Sequence, residues 1–198
     1  MAIKKETHGK EFYKKYRWFF TKSGKLVYGG KSAEQNEEII SNLLKEKKNY
    51  ILMHTRTPGS PFSVIVSEPI KVSEEDLNEV ATWTGCFSRA WRSGNKKADI
   101  DIFLTEQVYK KNGMKGGTFG VKGIIDRKIA DLRLYVVKQN GVVRAVPKES
   151  IGKEKIYSHI VPGSIEKERF AGYLSEKIKV GKEEVLNALP TGKFIEVK

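Results

Sequence analysis

The 198-residue sequence contains a single cysteine, three histidines and no long apolar segment. One cysteine, Cys86, excludes a disulfide framework and any zinc site built from several cysteines. No apolar run approaches the roughly 20 residues that a transmembrane helix requires, and no apolar stretch follows the charged N-terminus. We therefore expect a soluble, cytoplasmic protein that has no membrane contact, no metal site and no cofactor.

Catalytic motifs are also scarce. The glycine- and lysine-rich stretch 110–120 lacks the G-x-x-x-x-G-K-[ST] spacing of a P-loop. Only His54 has a suggestive setting, at the end of a predicted strand beside Arg56 and Ser60, and we favour a structural histidine bonded to a loop carbonyl. We expect a protein that is not an enzyme. The alternative is an RNA-processing or RNA-modifying enzyme, such as a nuclease, that uses His54 with Glu37.

Positive charge is what the sequence has in excess. Lys and Arg number 37 against 24 Asp and Glu, which gives a net charge of +13. The excess is uneven: residues 107–155 carry a net charge of +8, the first 17 residues +4, and residues 166–198 only +1. This segregation favours a polyanionic partner, most simply a nucleic acid, over a general effect on solubility.

Hydrophobic patterning predicts an α+β fold, in which a mixed, mostly antiparallel sheet is packed by two helices. The predicted elements are a hairpin within 16–28, helices over about 33–47 and 73–93, and a hairpin around Asn140-Gly141. Residues 1–163 are predicted to form one domain. Residues 164–198 are predicted to form a small helical appendage, whose nearly neutral charge suits docking of a protein partner.

Three basic segments have features that suit nucleic acid. In the first, Tyr16, Trp18, Phe19 and Phe20 lie among Lys14, Lys15, Arg17 and Lys22. Stacking rings beside cations suit single-stranded or looped RNA, and strand alternation places Arg17 and Phe19 on one face and Trp18 and Phe20 on the other. The second is the end of the predicted helix 73–93, where Arg89 and Arg92 precede two lysines. The third is a glycine-rich loop, 112–117, which a phosphate can approach closely.

Several short segments occur in an order that is typical of one family. They are RWFF at 17–20, GGKSAEQNE at 29–37, MHT and PGS within 53–60, SRAW at 88–91, QVYK at 107–110 and GTFGVKG at 117–123. Over about residues 12–125 the sequence resembles the NFACT-R domain, the RNA-binding domain of the NEMF/RqcH-type ribosome quality-control factors. The resemblance is to the stand-alone form of archaea and some bacteria, and residues from about 164 onward have no recognised counterpart.

The resemblance implies a non-catalytic RNA-binding protein that contacts tRNA, ribosomal RNA or the ribosome in translation or ribosome-associated quality control. One group of candidate contact residues lies in the family motifs or the aromatic segment. It consists of Arg17, Trp18, Asn36, His54, Ser60 and Trp91. A second group is chosen for charge and loop placement, as phosphate contacts. It consists of Arg56, Arg89, Arg92, Lys110, Lys111 and Lys115.

Overall fold

A computed structural model of the chain describes residues 11–197. Residues 1–10, which belong to the basic first 17 residues, therefore lie outside the described part. The strands of the first half are β1 (Arg17–Phe20), β2 (Leu26–Gly29), β3 (Ile51–Thr55), β4 (Ser63–Ile65), β5 (Lys97–Leu104) and β6 (Val108–Tyr109). Those of the second half are β7 (Gly120–Val121), β8 (Asp126–Asp131), β9 (Leu134–Gln139), β10 (Val142–Val146), β11 (Ser158–Ile165) and β12 (Phe194–Val197). The helices are α1 (Ala33–Lys45), α2 (Glu74–Cys86), α3 (Arg89–Arg92), α4 (Lys167–Ile178) and α5 (Lys182–Ala188).

The strands form two larger sheets and one short pair. A six-stranded sheet has the order β1-β2-β4-β3-β5-β8, a four-stranded sheet has the order β10-β9-β11-β12, and β6 pairs with β7. The α+β class is confirmed, but the single predicted sheet is two sheets, and every strand pairing within residues 11–197 is antiparallel. The chain changes sheets at Leu132 and Arg133, two residues outside any strand.

The side chains of the six-stranded sheet alternate between two cores. On β3, Ile51 and Met53 belong to the core that contains α2, while Leu52 belongs to the core that contains α1. On β1, Phe19 and Trp18 divide in the same way, as the period of two in a strand predicts. The sheet is therefore covered by α1 on one face and by α2 on the other.

Both helices begin where their capping residues predict. The Ser32 hydroxyl accepts a hydrogen bond from the backbone N–H of Gln35, and the Gln35 side chain accepts one from the backbone N–H of Lys31. At the start of α2, Ser73 and Asp76 form a reciprocal capping box. Because α1 starts immediately after Gly30 and Lys31, its positive N-terminal end lies at the edge of the sheet.

The single helix predicted over 73–93 is two helices. The first ends at Cys86, and Ser88 then caps α3 by accepting a hydrogen bond from the backbone N–H of Ala90 at 3.1 Å. The Ser88 hydroxyl also donates to the carbonyl of Gly85 at 2.7 Å, which closes the last turn of the first helix. The break reorients Arg89 and Arg92 toward the loop that follows β3.

The C-terminal region is built onto the four-stranded sheet. The hairpin of β9 and β10 is confirmed, with Asn140 and Gly141 at φ values of 50° and 78°, which its two-residue turn requires. The helices predicted after residue 164 are present as α4 and α5, and a last strand, β12, pairs with β11. The predicted boundary at residue 163 falls inside β11. The division of the chain into a domain and an appendage, and the docking of a protein partner by residues 164–198, stay predictions.

Candidate nucleic-acid interface

A cleft of about 660 Å³ lies beside the edge of the six-stranded sheet. Its walls are the N-terminal end of α1, the loop of residues 55–62, helix α3 and the glycine-rich loop at residues 116–119. Five cationic residues line it, namely Arg17, Lys31, Arg56, Arg89 and Arg92. The fold thus brings together residues that are up to 75 positions apart in the sequence, and a positive helix end adds to their field.

The loop of residues 55–62, which we call the cleft loop, is held by internal hydrogen bonds. The Ser60 hydroxyl accepts from the backbone N–H of Thr55 at 3.0 Å and donates to the carbonyl of Pro61 at 3.1 Å. From α1, the Asn36 amide donates to the carbonyl of Ser60 at 3.5 Å and accepts from the backbone N–H of Phe62 at 3.4 Å. Both Ser60 and Asn36 line the cleft, but their polar atoms position the loop.

His54 has the structural contact that the sequence favours. Its Nδ1 lies 2.7 Å from the carbonyl oxygen of Thr55, so in the neutral ring Nδ1 carries the proton and Nε2 is the acceptor. Burial lowers the pKa of His54, and the ring is therefore mainly neutral at pH 7. The ring packs against Phe62 at a centroid distance of 4.7 Å. His54 thus lines the cleft as a ring that is held by the cleft loop and packed on Phe62.

The three arginines of the cleft loop and α3 are exposed and have no acidic partner. No carboxylate of residues 11–197 lies within 4.0 Å of the guanidinium groups of Arg56, Arg89 or Arg92. The stem of Arg89 crosses Gly59, where a Cβ atom would lie 2.5 Å from Arg89 Cδ. Gly59 also has a φ of 116°, so only glycine fits both the backbone and the close approach.

Arg17 and Lys31 complete the basic wall. Arg17 Nη1 donates to the carbonyl of Gly30 at 3.0 Å, and the guanidinium group lies over the ring of Phe87. Burial lowers the pKa of Arg17 to about 10. Partial burial and the charges of Arg17 and Arg144 also lower the pKa of Lys31. The shift at Lys31 shows that cations lie close together in this wall, while the shift at Arg17 reflects its burial.

One carboxylate lines the cleft, and it is already engaged. Asp101 accepts a hydrogen bond from Arg127 Nε at 2.6 Å. Among the described lining residues, Asp101 is the sole acidic side chain against five cations. The cleft is therefore strongly positive.

The first lysine of the glycine-rich loop, Lys110, makes its contacts within the protein. Lys110 Nζ donates to Glu37 at 2.7 Å, to the carbonyl of Lys115 at 2.8 Å and to that of Thr118 at 3.0 Å. Glu37 also accepts from the backbone N–H of Gly117 at 2.7 Å. The sequence places Lys110 among the phosphate contacts, but its ammonium group is neutralised by Glu37 and holds the loop.

Lys111 and Lys115 are exposed and lie outside the residues that line the cleft. The ammonium group of Lys111 lies over the ring of Tyr109 at 5.4 Å. Lys115 directly precedes Gly116, which lines the cleft, so it lies at the rim of the cleft, while Lys111 lies four residues earlier in the same loop. Their role as phosphate contacts stays a prediction.

The two predicted tryptophan contacts are core residues. Trp18 and Trp91 are only 2% and 1% exposed, so neither ring can stack on a base. Trp91 Nε1 donates to the carbonyl of Lys193 at 3.2 Å, a partner 102 positions away. Both tryptophans face packed layers rather than solvent, so the stacking expected in the aromatic segment excludes Trp18, and Trp91 is not an exposed contact.

The predicted contacts omit one cation and two half-buried rings that line the cleft, namely Lys31, Phe87 and Phe119. Lys31 follows Gly29-Gly30 directly before the cap of α1, and that position at a helix N-terminus was an available signal. Phe87 and Phe119 are half-buried and line the cleft. Their sequence surroundings give no sign of this, because the break after α2 and the fold of the glycine loop place them.

The His54–Glu37 pair of the enzymatic alternative does not form. Glu37 is bonded to Lys110 and Gly117, and His54 is bonded to Thr55. In residues 11–197 there is no group of three or more His, Cys, Asp or Glu side chains that could hold a metal ion. No helix in that part of the chain is long and apolar enough to span a membrane.

Comparison with known proteins identifies one family. The family model described as "NFACT protein RNA binding domain" matches residues 15–123, close to the range of the predicted resemblance. The archaeal Rqc2 homolog aRqcH of Methanocaldococcus jannaschii is 31% identical over 203 aligned residues, which cover 96% of this chain and 29% of that protein. Such coverage includes most of residues 164–198, for which the sequence alone suggested no counterpart.

A second relative and one solved structure extend the comparison. The ribosome quality control complex subunit NEMF homolog of Drosophila melanogaster is 27% identical over 119 residues, which cover 57% of this chain and 12% of that protein. The chain thus spans less than a third of the length of either relative. The C-terminal part of the fibronectin/fibrinogen-binding protein of Streptococcus suis has a similar fold, with a TM-score of 0.52 and 18% identity, over 64% of this chain and 47% of that one.

Proposed function

Since this chain belongs to the family of NFACT protein RNA-binding domains, we propose that it is a non-catalytic RNA-binding protein whose cleft holds the RNA. The observation that carries the proposal is the charge of that cleft. Five cations line it, and its one carboxylate is paired with Arg127. RNA phosphates would supply negative charge to cations of the cleft that no carboxylate of the protein contacts.

The shape of the cleft favours single-stranded or looped RNA over a duplex. A concave site with arginines at its mouth and half-buried rings of Phe87 and Phe119 inside suits an unstacked base beside its phosphates. A regular A-form helix presents its phosphates on a convex surface and hides its base faces. Looped regions of tRNA or ribosomal RNA are the partners that we propose.

The setting that we propose is ribosome-associated quality control in the cytoplasm. One relative is named as a subunit of the ribosome quality control complex and the other as an archaeal Rqc2 homolog. Because the chain spans only part of each relative, the proposal for this chain is restricted to RNA contact and includes no other activity of those proteins.

The test is the salt dependence of RNA binding. Fluorescence anisotropy with a labelled single-stranded RNA measures the binding constant. Its logarithm should fall linearly with the logarithm of the salt concentration, with a slope of about −0.7 for each phosphate contact. The variant Arg56→Gln should bind about tenfold more weakly at low salt. Arg169→Gln removes an exposed arginine of α4 and serves as the matched control. If the protein without any substitution does not bind RNA at low salt, the proposed function is contradicted.

A further inference from the structure

A second, smaller cavity of about 210 Å³ adjoins the basic wall of the cleft. It lies between β1, β10 and α5. Arg17 and Lys31 line both cavities, and Lys14 and Arg144 line only the second. The two spaces therefore share a cationic boundary.

Arg144 is held in position in a way that keeps its charge available. Its guanidinium carbon lies 3.8 Å from the ring centroid of Trp18, and Nη1 donates to the carbonyl of Val143 at 2.7 Å. No carboxylate of the described residues lies within 4.0 Å of it. Burial lowers the pKa of Arg144 to about 10. The charge of Glu184 opposes this shift, so the arginine is pre-oriented, partly dehydrated and attracted to one carboxylate that does not contact it.

Two buried donors of this cavity have no acceptor. Trp18 Nε1 and Arg144 Nε are both inaccessible to solvent and make no hydrogen bond to the described residues. Because water does not reach either nitrogen, a phosphate in the cavity would interact with the charges of its lining residues rather than with these two N–H groups. Glu184 also lines the cavity, but its carboxylate accepts from the backbone N–H of Val143 at 2.8 Å.

We propose that the second cavity is a phosphate subsite, which takes a phosphate group of the RNA strand that enters the cleft. The inference rests on the proposed function. A phosphate offers several acceptor oxygens and a negative charge to Arg144, Arg17 and Lys31. The small volume of this cavity suits a phosphate rather than a base. The phosphate can be an internal phosphodiester or a terminal phosphomonoester.

The decisive variant adds a charge without disturbing the arginine. Asn187 is an exposed residue of α5 that lines the cavity. Asn187→Asp supplies a carboxylate that competes with the phosphate, so RNA affinity should fall about tenfold. Asn78→Asp makes the same change on an exposed position of α2 outside both cavities and should leave RNA affinity unchanged.

A further variant removes the charge that we assign. Arg144→Gln should lower the salt dependence of RNA affinity by about 0.7, the value for one phosphate on a single strand. Trp18→Phe keeps a ring under Arg144 and removes an N–H that a phosphate cannot reach, so it should leave the salt dependence unchanged. Circular dichroism and thermal melting establish that each variant folds.

The RNA used decides the source of the phosphate. Oligonucleotides with a 5′-phosphate and with a 5′-hydroxyl should show the same loss on Arg144→Gln if the ligand is an internal phosphodiester. A loss confined to the 5′-phosphorylated RNA supports a terminal phosphate. RNA affinities of Asn187→Asp and Arg144→Gln equal to that of Asn78→Asp would overturn the subsite but leave the proposed function intact. Failure of the unchanged protein to bind RNA would overturn both.

Discussion

The cleft and the glycine-rich loop carry the same kind of charge and use it differently. Arg56 and Arg92 lie at the cleft with no carboxylate within 4.0 Å among the described residues. Lys110, in the loop, is bonded to Glu37 and to two carbonyl groups, and it lies over the ring of Phe119. The comparison teaches that a count of basic residues overstates what a phosphate can reach, because internal partners take up some of them.

The largest effect should come from the glycine that shapes the cleft. Gly59→Ala places a Cβ against Arg89 at a position with φ of 116°, so we expect a loss of about 1–3 kcal/mol in unfolding free energy. RNA affinity should fall about tenfold because the arginine is displaced. Urea denaturation and anisotropy measure the two effects.

The glycine-rich loop supplies the matched control for that variant. Gly113 has a φ of 87°, but no atom lies within 4 Å of a Cβ added there. Gly113→Ala should therefore cost only the backbone strain, about 1 kcal/mol, and should leave RNA affinity unchanged. Equal losses of affinity in the two variants would contradict the distinction between the two regions.

A smaller effect is expected when the loop lysine loses its partner. Glu37→Gln removes the charge that Lys110 and the N–H of Gly117 share, and unfolding free energy should fall by about 1 kcal/mol. RNA affinity should change less than about threefold, because the cations of the cleft are untouched.

An ion pair of the neighbouring residue of α1 serves as the control for Glu37→Gln. Glu38 pairs with exposed Lys15, and Glu38→Gln should cost at most about 0.5 kcal/mol. Chemical denaturation of both variants gives the difference. A loss for Glu38→Gln as large as that for Glu37→Gln would mean that the loop contact has no special role.

A dependence of stability on pH is expected at the back of the basic wall. Burial, with the charge of Arg17, lowers the pKa of Lys167 from 10.5 to about 8, although Glu168 opposes the shift. Below pH 8 both the folded and unfolded states are protonated, so the folded state bears the full cost of the charge. From pH 8 to 10.5 the folded state loses its proton first, and stability should rise.

Lys167→Met isolates this contribution. The variant should be more stable than the unchanged protein at pH 7, and its advantage should shrink by pH 9. Urea denaturation at pH 7, 8 and 9 measures both proteins. An advantage that is constant over this range would show that the lysine does not titrate there.

Local patterns predicted much of the fold. The alternation on β1, the caps at Ser32 and Ser73, and the turn at Asn140-Gly141 depend on residues close in the sequence, and all three are confirmed. The change of sheet at residues 132–133 was not predictable. It depends on which strands pair, and Gln139 even bonds to the backbone of Phe20 across 119 positions.

The candidate site divides in the same way. Arg17, Arg56, Arg89 and Arg92 were candidates on local grounds of charge and motif, and the fold places all four around one cleft beside His54. The role of Lys110 depends on Glu37, 73 positions away, and the burial of Trp91 depends on Lys193. No pattern of charge or aromatic residues in a segment reveals such distant partners.

The central claim is that cations without internal partners bind the RNA. The most direct test compares two variants that each lose three charges, Arg56→Gln/Arg89→Gln/Arg92→Gln in the cleft and Lys110→Gln/Lys111→Gln/Lys115→Gln in the loop. We predict that the cleft variant loses about two units of salt dependence and about a hundredfold in affinity at low salt, while the loop variant loses less than about tenfold. An equal loss in the two variants, or a larger loss in the loop variant, would contradict the account.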